Sequence, residues 1–368
     1  MAKNLYHTQE EKEKALLFGV IFKSNEDVKY YLEELKSLAD TAKLETVATD
    51  YQLVRQITPA TLIGSGKVEE LKEKVNQLNV DVIIFDHELT GSQTKNLSDE
   101  LGVKVIDRIT LILDIFASRA TSNEGKLQVS LAQAKYFLPR LSGMSGTSGR
   151  FGSGGVGSRG PGETKLELDR RALENSILLL EKQLKELNKQ RDLKNKSRQS
   201  SNKTKVAIVG YTNAGKSTLL NIISKANIYA DDKLFATLET TSRNVWLEMG
   251  KEIILTDTVG FISKLPHALV HAFKSTLDEA KYADIILHVV DASNKNREEQ
   301  IEVVNEVLTE LEVTAPIITV YNKTDKIHVL PEQNKYTVSI SAKQNLGIEK
   351  LKQTIIDVID EISQKKYN

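Results

Sequence analysis

The sequence predicts an α/β protein in three parts: an N-terminal α/β domain (1–115), an antiparallel helical hairpin with a glycine-rich tip (116–203), and a C-terminal doubly wound α/β domain (204–368). Three observations carry that prediction. Apolar β-type runs alternate with helical sequence from Ala15 to Asp107 and again from Lys205 onward, as in largely parallel sheets covered by helices. Two apolar seams of heptad spacing flank a stretch too rich in glycine to pack. The second alternating region opens with KVAIVGYTNAGKSTLL, in which Gly210-x-x-x-x-Gly215-Lys216-Ser217 follows a strand and enters a helix, the order a phosphate-binding loop requires.

In the first domain the strands are ALLFGVIF, LETVATD, VDVIIFD ending at Asp86, and VKVID, with a helix start at Ser24-Asn25-Glu26-Asp27 and a helix from about Val68. Gly64-Ser65-Gly66-Lys67 resembles a phosphate loop only superficially, because it follows no clear strand; it reads as a turn into a helix. In the hairpin, Leu127, Leu131, Ala134, Leu138 and Leu141 repeat at 4, 3, 4, 3, and so do Leu173, Ile177, Leu180, Leu184 and Leu187. Each seam is expected to bury the other, since an amphipathic helix gains most of its stability by packing its apolar face. Between them Ser142 to Gly162 holds nine glycines in 21 residues, with Phe151, Arg150 and Arg159. A mobile tip loop that orders on RNA, Arg to phosphate and Phe to an unstacked base, uses all of these, whereas a plain linker explains only the glycines.

The chain has 368 residues, no cysteine and a formal net charge of zero. Without cysteine there is no disulfide framework or thiolate metal site, which suits a reducing compartment. The N-terminal apolar run is too short and too mixed with charge for a signal sequence or membrane span, so a cytoplasmic protein with no membrane span is expected. The zero conceals an asymmetry: Lys126 to Lys205 carries 17 Lys plus Arg against 7 Asp plus Glu, a local +10. Arg191 to Lys205, with six basic residues against one acidic, reads as a basic linker. Concentrated positive charge is the footprint of a polyanion-binding surface.

The C-terminal domain should contain strands KVAIVG, RNVWLEM, EIILTDT, DIILHVVDA, PIITVYN and YTVSI and a last helix from about Ile348. Its motifs fall at the carboxyl ends of these strands, where open α/β sheets bind ligands. The loop Gly210, Tyr211, Thr212, Asn213, Ala214, Gly215, Lys216, Ser217 and Thr218 can line phosphates with backbone N–H groups, Lys216 reaching the β and γ phosphates and Ser217 a Mg2+ ion. Asp257, Thr258, Val259 and Gly260 close a strand: the carboxylate can hold Mg2+ through water, and the Gly260 N–H can sense the γ phosphate. Asn322, Lys323, Thr324 and Asp325 follow another strand; Asn322 is expected to brace the loop and meet the base, and the aliphatic stem of Lys323 to cover the face of the base. Asp325 can accept two N–H bonds from guanine, whereas adenine offers no donor there, which argues against an ATP-dependent kinase. Ser341, Ala342 and Lys343 can add a backbone N–H to the guanine carbonyl. A first switch must lie between Ile228 and Arg243, in LFATLETTSR, where spacing alone does not choose among Thr237, Thr240 and Thr241 as the Mg2+ threonine. After Gly260 stands Phe261, where many small GTPases place a Gln; an apolar ring cannot orient water, so hydrolysis is expected to be slow alone and completed by a partner.

With Ile63-Gly64-Ser65-Gly66-Lys67-Val68, Glu124-Gly125-Lys126-Leu127-Gln128-Val129, Gly160-Pro161-Gly162-Glu163-Thr164 and Asp169-Arg170-Arg171 added to these motifs, nearly the whole chain resembles the HflX branch of the translation-factor-related P-loop GTPases, close to the Obg relatives. GSRGPGETKLELDRR is the most specific stretch. The resemblance implies a GTP/GDP and Mg2+ site in which Phe235, Ala236, Thr237, Leu238 and Glu239 belong to the first switch, with Thr237 as the Mg2+ threonine and Lys216, Thr237 and Gly260 as the catalytic set. It also implies a monomer that binds the large ribosomal subunit and its RNA through the hairpin and the glycine-rich loop, associating with ribosomes or the membrane periphery. Splitting or rescue of stalled ribosomes under stress, and resistance to antibiotics of the peptidyl-transferase centre, come with it. Asn213 resembles the asparagine that relatives use to hold K+. The chain departs from the family at Ala120-Thr121-Ser122-Asn123, where basic residues are commoner, and is expected to lack the extra C-terminal domain of longer members. The competing expectation is a nucleotide-gated RNA-binding or ribosome-assembly module that splits nothing.

Overall fold

The computed structural model describes residues 12–22, 27–141, 165–198, 203–224, 234–235, 240–263, 279–331 and 334–367. Two compact units emerge, one of Met1–Ser118 with Gln133–Leu179, the other of Arg119–Ala132 with Leu180–Asn368.

The first unit contains a four-stranded parallel sheet of β1 (Lys14–Ile21), β2 (Glu45–Leu53), β3 (Val82–Phe85) and β4 (Lys104–Asp107), in the order β2-β1-β3-β4. From Ala15 onward β1 is buried along its length, and β3 throughout, which is why both read as unbroken apolar runs; β2, at an edge, alternates between exposed and half-buried. Helices α1 (Val28–Thr41), α2 (Ser65–Leu78) and α3 (Gly91–Leu101) connect the strands, and α4 (Arg108–Arg119) follows β4. Asp27 starts α1 by accepting the Tyr30 N–H at 3.2 Å. Thr90 and Gln93 form a reciprocal capping box on α3, which stops at Gly102, left-handed at φ +72°. The Gly64-Ser65-Gly66-Lys67 turn does lead into a helix, but α2 begins at Ser65, three residues earlier than expected. At the carboxyl end of β3 a buried cluster forms: Arg108 donates to Asp86 at 2.8 Å and pairs with Glu34 of α1. Neither α3 nor α4 is announced by the runs that mark the strands.

Both helices of the expected hairpin are present, as α5 (Asn123–Phe137), extended by a 3-10 turn over Leu138–Arg140, and α6 (Lys165–Arg198). On α5, Leu131 and Ala134 are buried, and Leu127, Leu138 and Leu141 are half-buried. The α6 seam is half-buried at all five positions rather than buried, while Leu178 and Leu179 beside it are exposed. The glycine-rich stretch 142–162 lies outside the described residues.

The second unit holds a six-stranded sheet of β5 (Thr204–Gly210), β6 (Thr241–Trp246), β7 (Glu252–Asp257), β8 (Ile285–Asp291), β9 (Ile317–Asn322) and β10 (Thr337–Ser339), in the order β10-β9-β8-β5-β7-β6. All neighbours are parallel except β6, which runs antiparallel to β7 at one edge. Helices α7 (Lys216–Ser224), α8 (Arg297–Glu310) and α9 (Ile348–Tyr367) belong to this domain. Ile208, Leu287 and Val320 from the strands, Leu219 and Leu220 from α7, and Leu351 and Ile355 from α9 share one buried core. The edge strand begins two residues before RNVWLEM and ends before Leu247, because pairing runs from Thr241 opposite Asp257 to Trp246 opposite Glu252. Among the described residues, no helix is long and apolar enough to cross a membrane.

Candidate nucleotide-binding site

Strands β5, β7, β8 and β9 lie side by side, and their carboxyl ends bring together the loops that the sequence singles out. The first loop follows β5 and runs directly into α7, so the positive end of that helix faces whatever the loop cradles. Asn213 is exposed in the left-handed region, at φ +60°. At Gly215, φ is +95° and an added Cβ would lie 2.3 Å from Asn322 Nδ2, so both backbone and space require glycine. Thr218 is half-buried on the first turn of α7.

Three groups around the loop are ionisable. Lys216 is buried and donates from Nζ to the Tyr211 carbonyl at 2.8 Å. Burial lowers its pKa to about 8, against the opposing attraction of Asp257. Ser217 Oγ donates to Asp257 Oδ2 at 2.6 Å. A hydroxyl and a carboxylate already in contact are suitable oxygen donors for Mg2+, one directly and the other through water, so the residues present fit that ion. His288, on β8 opposite Val209, is buried too; desolvation, with the nearby Lys216 charge, lowers its pKa to about 4, and it stays neutral under the loop.

After β7, Thr258 donates from Oγ1 to the Ile208 carbonyl at 2.8 Å and so braces β7 on β5. Val259 is buried. Gly260 presses against the loop: a Cβ there would meet Lys216 Nζ at 2.8 Å and Thr212 Cγ2 at 2.9 Å. Phe261 is only 2% exposed, and its backbone pairs with the loop, its N–H donating to Gly210 O at 3.1 Å and its carbonyl accepting from Thr212 N at 2.7 Å. The residue in the usual glutamine position is therefore a packing group.

The loops that the sequence marks for base recognition are joined by Asn322 at the end of β9. Its Nδ2 donates to Ala214 O at 2.8 Å in the phosphate loop, and its Oδ1 accepts from Ala342 N at 3.0 Å. One side chain thus sets the distance between the phosphate end and the base end. Lys323, left-handed at φ +61°, pairs through Nζ with Asp291 at 2.7 Å. Thr324 donates through both N–H and hydroxyl to the Ile340 carbonyl, holding this loop on the one after β10. Asp325 is exposed and accepts from Ser341 Oγ at 2.6 Å; that bond keeps its carboxyl below the usual range, so the acceptor is ionised. Ala342 is buried and Lys343 exposed.

The structure therefore brings together Gly210 to Thr218, Asp257 to Gly260, Asn322 to Asp325 and Ser341 to Lys343. Phe235 is buried at φ +53°, while Ala236, Thr237, Leu238 and Glu239 lie outside the described residues. Three neighbours of these loops were not singled out from sequence: His288, Asp291 and Ser263, which bonds the Tyr211 hydroxyl. His288 had a signal, as the one ring nitrogen in the run IILHVVD; Asp291 and Ser263 had none before their partners were known.

Comparisons with known proteins identify the family and the fold. Residues 29–117, 119–198 and 205–323 match, in order, families described as GTP-binding GTPase N-terminal, GTP-binding GTPase Middle Region and 50S ribosome-binding GTPase. The chain is 52% identical over 346 residues to the GTPase HflX of Caldanaerobacter subterraneus subsp. tengcongensis, covering 94% of this chain and 80% of that one. It is 40% identical over 353 residues to the GTPase HflX of Escherichia coli (strain K12), covering 94% and 82%. Among solved structures it is similar to SsGBP in complex with GDP, at 27% identity and TM-score 0.53, covering 95% of this chain and 99% of that chain. A GTP-binding protein from the hyperthermophilic archaeon Sulfolobus solfataricus in complex with GDP matches at 25% identity and TM-score 0.50, with the same coverage.

Proposed function

Because the chain belongs to the HflX family of GTPases, we propose that it is a GTP-driven factor that binds the large ribosomal subunit and its RNA and splits or rescues stalled ribosomes under stress, including those blocked by antibiotics. Binding and hydrolysis of GTP come with the family and the P-loop domain. The partner is inferred from the 50S ribosome-binding description of the matched GTPase region and from the +10 charge between Lys126 and Lys205. The hairpin and the loop at 142–162 are the contact surfaces, on the domain division 1–115, 116–203 and 204–368. The protein acts as a cytoplasmic monomer.

Burial of Phe261 is the observation that carries the need for a partner. A ring packed beneath the phosphate loop cannot align water, so hydrolysis by the free protein is slow and the ribosome completes the site. Bound Mg2+, held by the Ser217 hydroxyl and by Thr237, with Asp257 acting through water, supplies charge neutralisation on the phosphates. Lys216 holds the β and γ phosphates, Gly260 offers its N–H to the γ phosphate, and Asp325 reads the base. Asn213 adds an oxygen ligand for K+.

The test is sedimentation of joined ribosomes with the protein and GTP, GDP or a non-hydrolysable GTP analogue, alongside single-turnover hydrolysis in K+ and Na+ buffers with and without ribosomes. Nucleotide-dependent loss of joined particles and a sharp ribosome-stimulated rate are expected. Binding without dissociation would favour the RNA-binding or assembly module instead. Fast hydrolysis by the isolated protein would overturn partner dependence, and equal turnover in the two cations would remove K+.

A further inference from the structure

The second residue of the phosphate loop makes contacts that neither phosphate binding nor base reading uses. Tyr211 is 5% exposed. Its phenol oxygen accepts the backbone N–H of Ser263 at 2.5 Å and shares a second hydrogen bond with Ser263 Oγ at 2.5 Å. A buried tyrosine hydroxyl needs a polar partner, and this one meets two polar groups of a single residue 52 positions away. Beneath the ring the backbones are paired as well, Tyr211 bridging Phe261 in parallel register. Gly260, Phe261 and Ser263 are therefore fastened to the start of the phosphate loop at several points.

The same residue also touches the other group that meets the γ phosphate. Its carbonyl accepts from Lys216 Nζ at 2.8 Å, and Lys216 Nζ is the atom that a Cβ on Gly260 would meet at 2.8 Å. Through its carbonyl Tyr211 holds the ammonium; through its hydroxyl it holds the segment that carries the Gly260 N–H. A donor held in place before the ligand arrives avoids the ordering cost that a mobile one incurs on binding. In many GTPases the segment after the glycine is free to move with nucleotide state, the order–disorder device of switching loops. Here Phe261 is buried and Ser263 is tied down, so the first residues of that segment form part of the loop.

We propose that Tyr211 is a positioning residue for γ-phosphate recognition: its hydroxyl fixes Gly260 to Ser263 against the phosphate loop, so that GTP meets a Gly260 N–H already in place. The proposal rests on the reading of Gly260 as the γ-phosphate contact. GDP, with no γ phosphate, gains nothing from the tether, and this separates positioning from general support of the fold.

The experiment measures affinity for GDP and for a non-hydrolysable GTP analogue, both with Mg2+, in the wild-type chain, Tyr211→Phe, Ser263→Ala and the double variant, with thermal unfolding recorded for each. Tyr211→Phe keeps the ring and removes only the hydroxyl. It is expected to weaken the GTP analogue roughly 3- to 10-fold, the fold-change of one or two net hydrogen bonds, while GDP moves by less than about twofold. Ser263→Ala keeps the N–H donor and should show a smaller loss in the same direction. The double variant should match Tyr211→Phe, because both changes remove the same contact. Equal losses for the two nucleotides, additive losses in the double variant, or an unchanged ratio in Tyr211→Phe would each overturn the proposal. A wild-type chain that binds both nucleotides equally would overturn the reading of Gly260 and the tether with it; a wild-type preference for GTP that survives Tyr211→Phe intact would overturn the tether alone.

Discussion

On the proposed reading Lys216 carries the charge that nucleotide phosphates require, and burial works against it. In the free protein its pKa is lowered to about 8, and the Asp257 carboxylate only partly offsets the loss of water. Bound phosphates favour the ammonium and raise that pKa, so above the free value the protein must take up a proton to bind. The sign follows: affinity is flat below the free pKa, then falls as pH rises through about 8, approaching about tenfold per pH unit. Titrating GDP between about pH 7 and 9.5, with calorimetry in two buffers of different ionisation enthalpy, should show the fall together with proton uptake at the alkaline end. An affinity unchanged to about pH 9.5 would mean that Lys216 remains fully charged without nucleotide. His288 cannot compensate, since it is neutral over this whole range.

Among the elements, the turn that leaves α5 is where local structure depends most on a few polar contacts. Arg140 donates from Nε to Leu89 O at 3.0 Å and from Nη1 to Tyr136 O at 2.8 Å, pairs with Glu88, and lies 3.5 Å over the Tyr136 ring. Tyr136 in turn donates to Asp107, which also caps α4 by accepting from Thr110 N at 2.9 Å and holds the Leu89 N–H at 3.1 Å. Burial, with the Asp107 charge, pushes the Tyr136 pKa up, so this hydroxyl remains a donor. Glu88 is half-exposed and its ion pair contributes little. The carbonyl and ring contacts dominate, and Arg140→Ala is expected to destabilise this unit by about 2 kcal/mol, read as an earlier urea unfolding transition. A loss below about 0.5 kcal/mol would show that the clamp is ornamental. None of this clamp was legible in the sequence, because Leu89, Asp107 and Arg140 are remote from one another until the sheet forms. The strands were legible, since β1 and β3 are nearly continuous apolar runs and β8 is one broken only by His288 before Asp291, all buried along most of their length. Helix α3 was not, because its apolar face is short and its start signal, the Thr90–Gln93 box, lies in a polar stretch. The loops that the fold brings together were legible as loops, since each is a short run of three to nine consecutive residues. That Asn322 braces its loop was legible, but its partners Ala214 and Ala342 were not, nor was the bond between Tyr211 and Ser263, because those pairs are made by the packing of the sheet.

For the molecule as a whole, the proposed nucleotide site draws on residues between Gly210 and Lys343, and the basic, glycine-rich stretch lies wholly before them in the chain. On the proposed reading the two functions belong to separate stretches of the sequence, so they should separate in a variant. Replacing Ser142 to Gly162 by a short neutral linker removes Arg150, Arg159 and Phe151 together with the glycines. GDP affinity should then stay within about twofold of wild type, a change of less than about 0.5 kcal/mol. Nucleotide-dependent loss of joined ribosomes should vanish, because charge on the helices alone gives attraction to RNA without the contacts of an ordered loop. Residual binding by the variant should weaken steeply as salt rises from about 50 to 200 mM, the signature of phosphate contacts that persist without the loop. Ribosome splitting that survives the replacement would reduce the glycine-rich stretch to a spacer and shift the functional contact to the helices. A loss of GDP affinity in the same variant would instead mean that residues 142–162 support the nucleotide domain itself, and the separation of the two functions would fail.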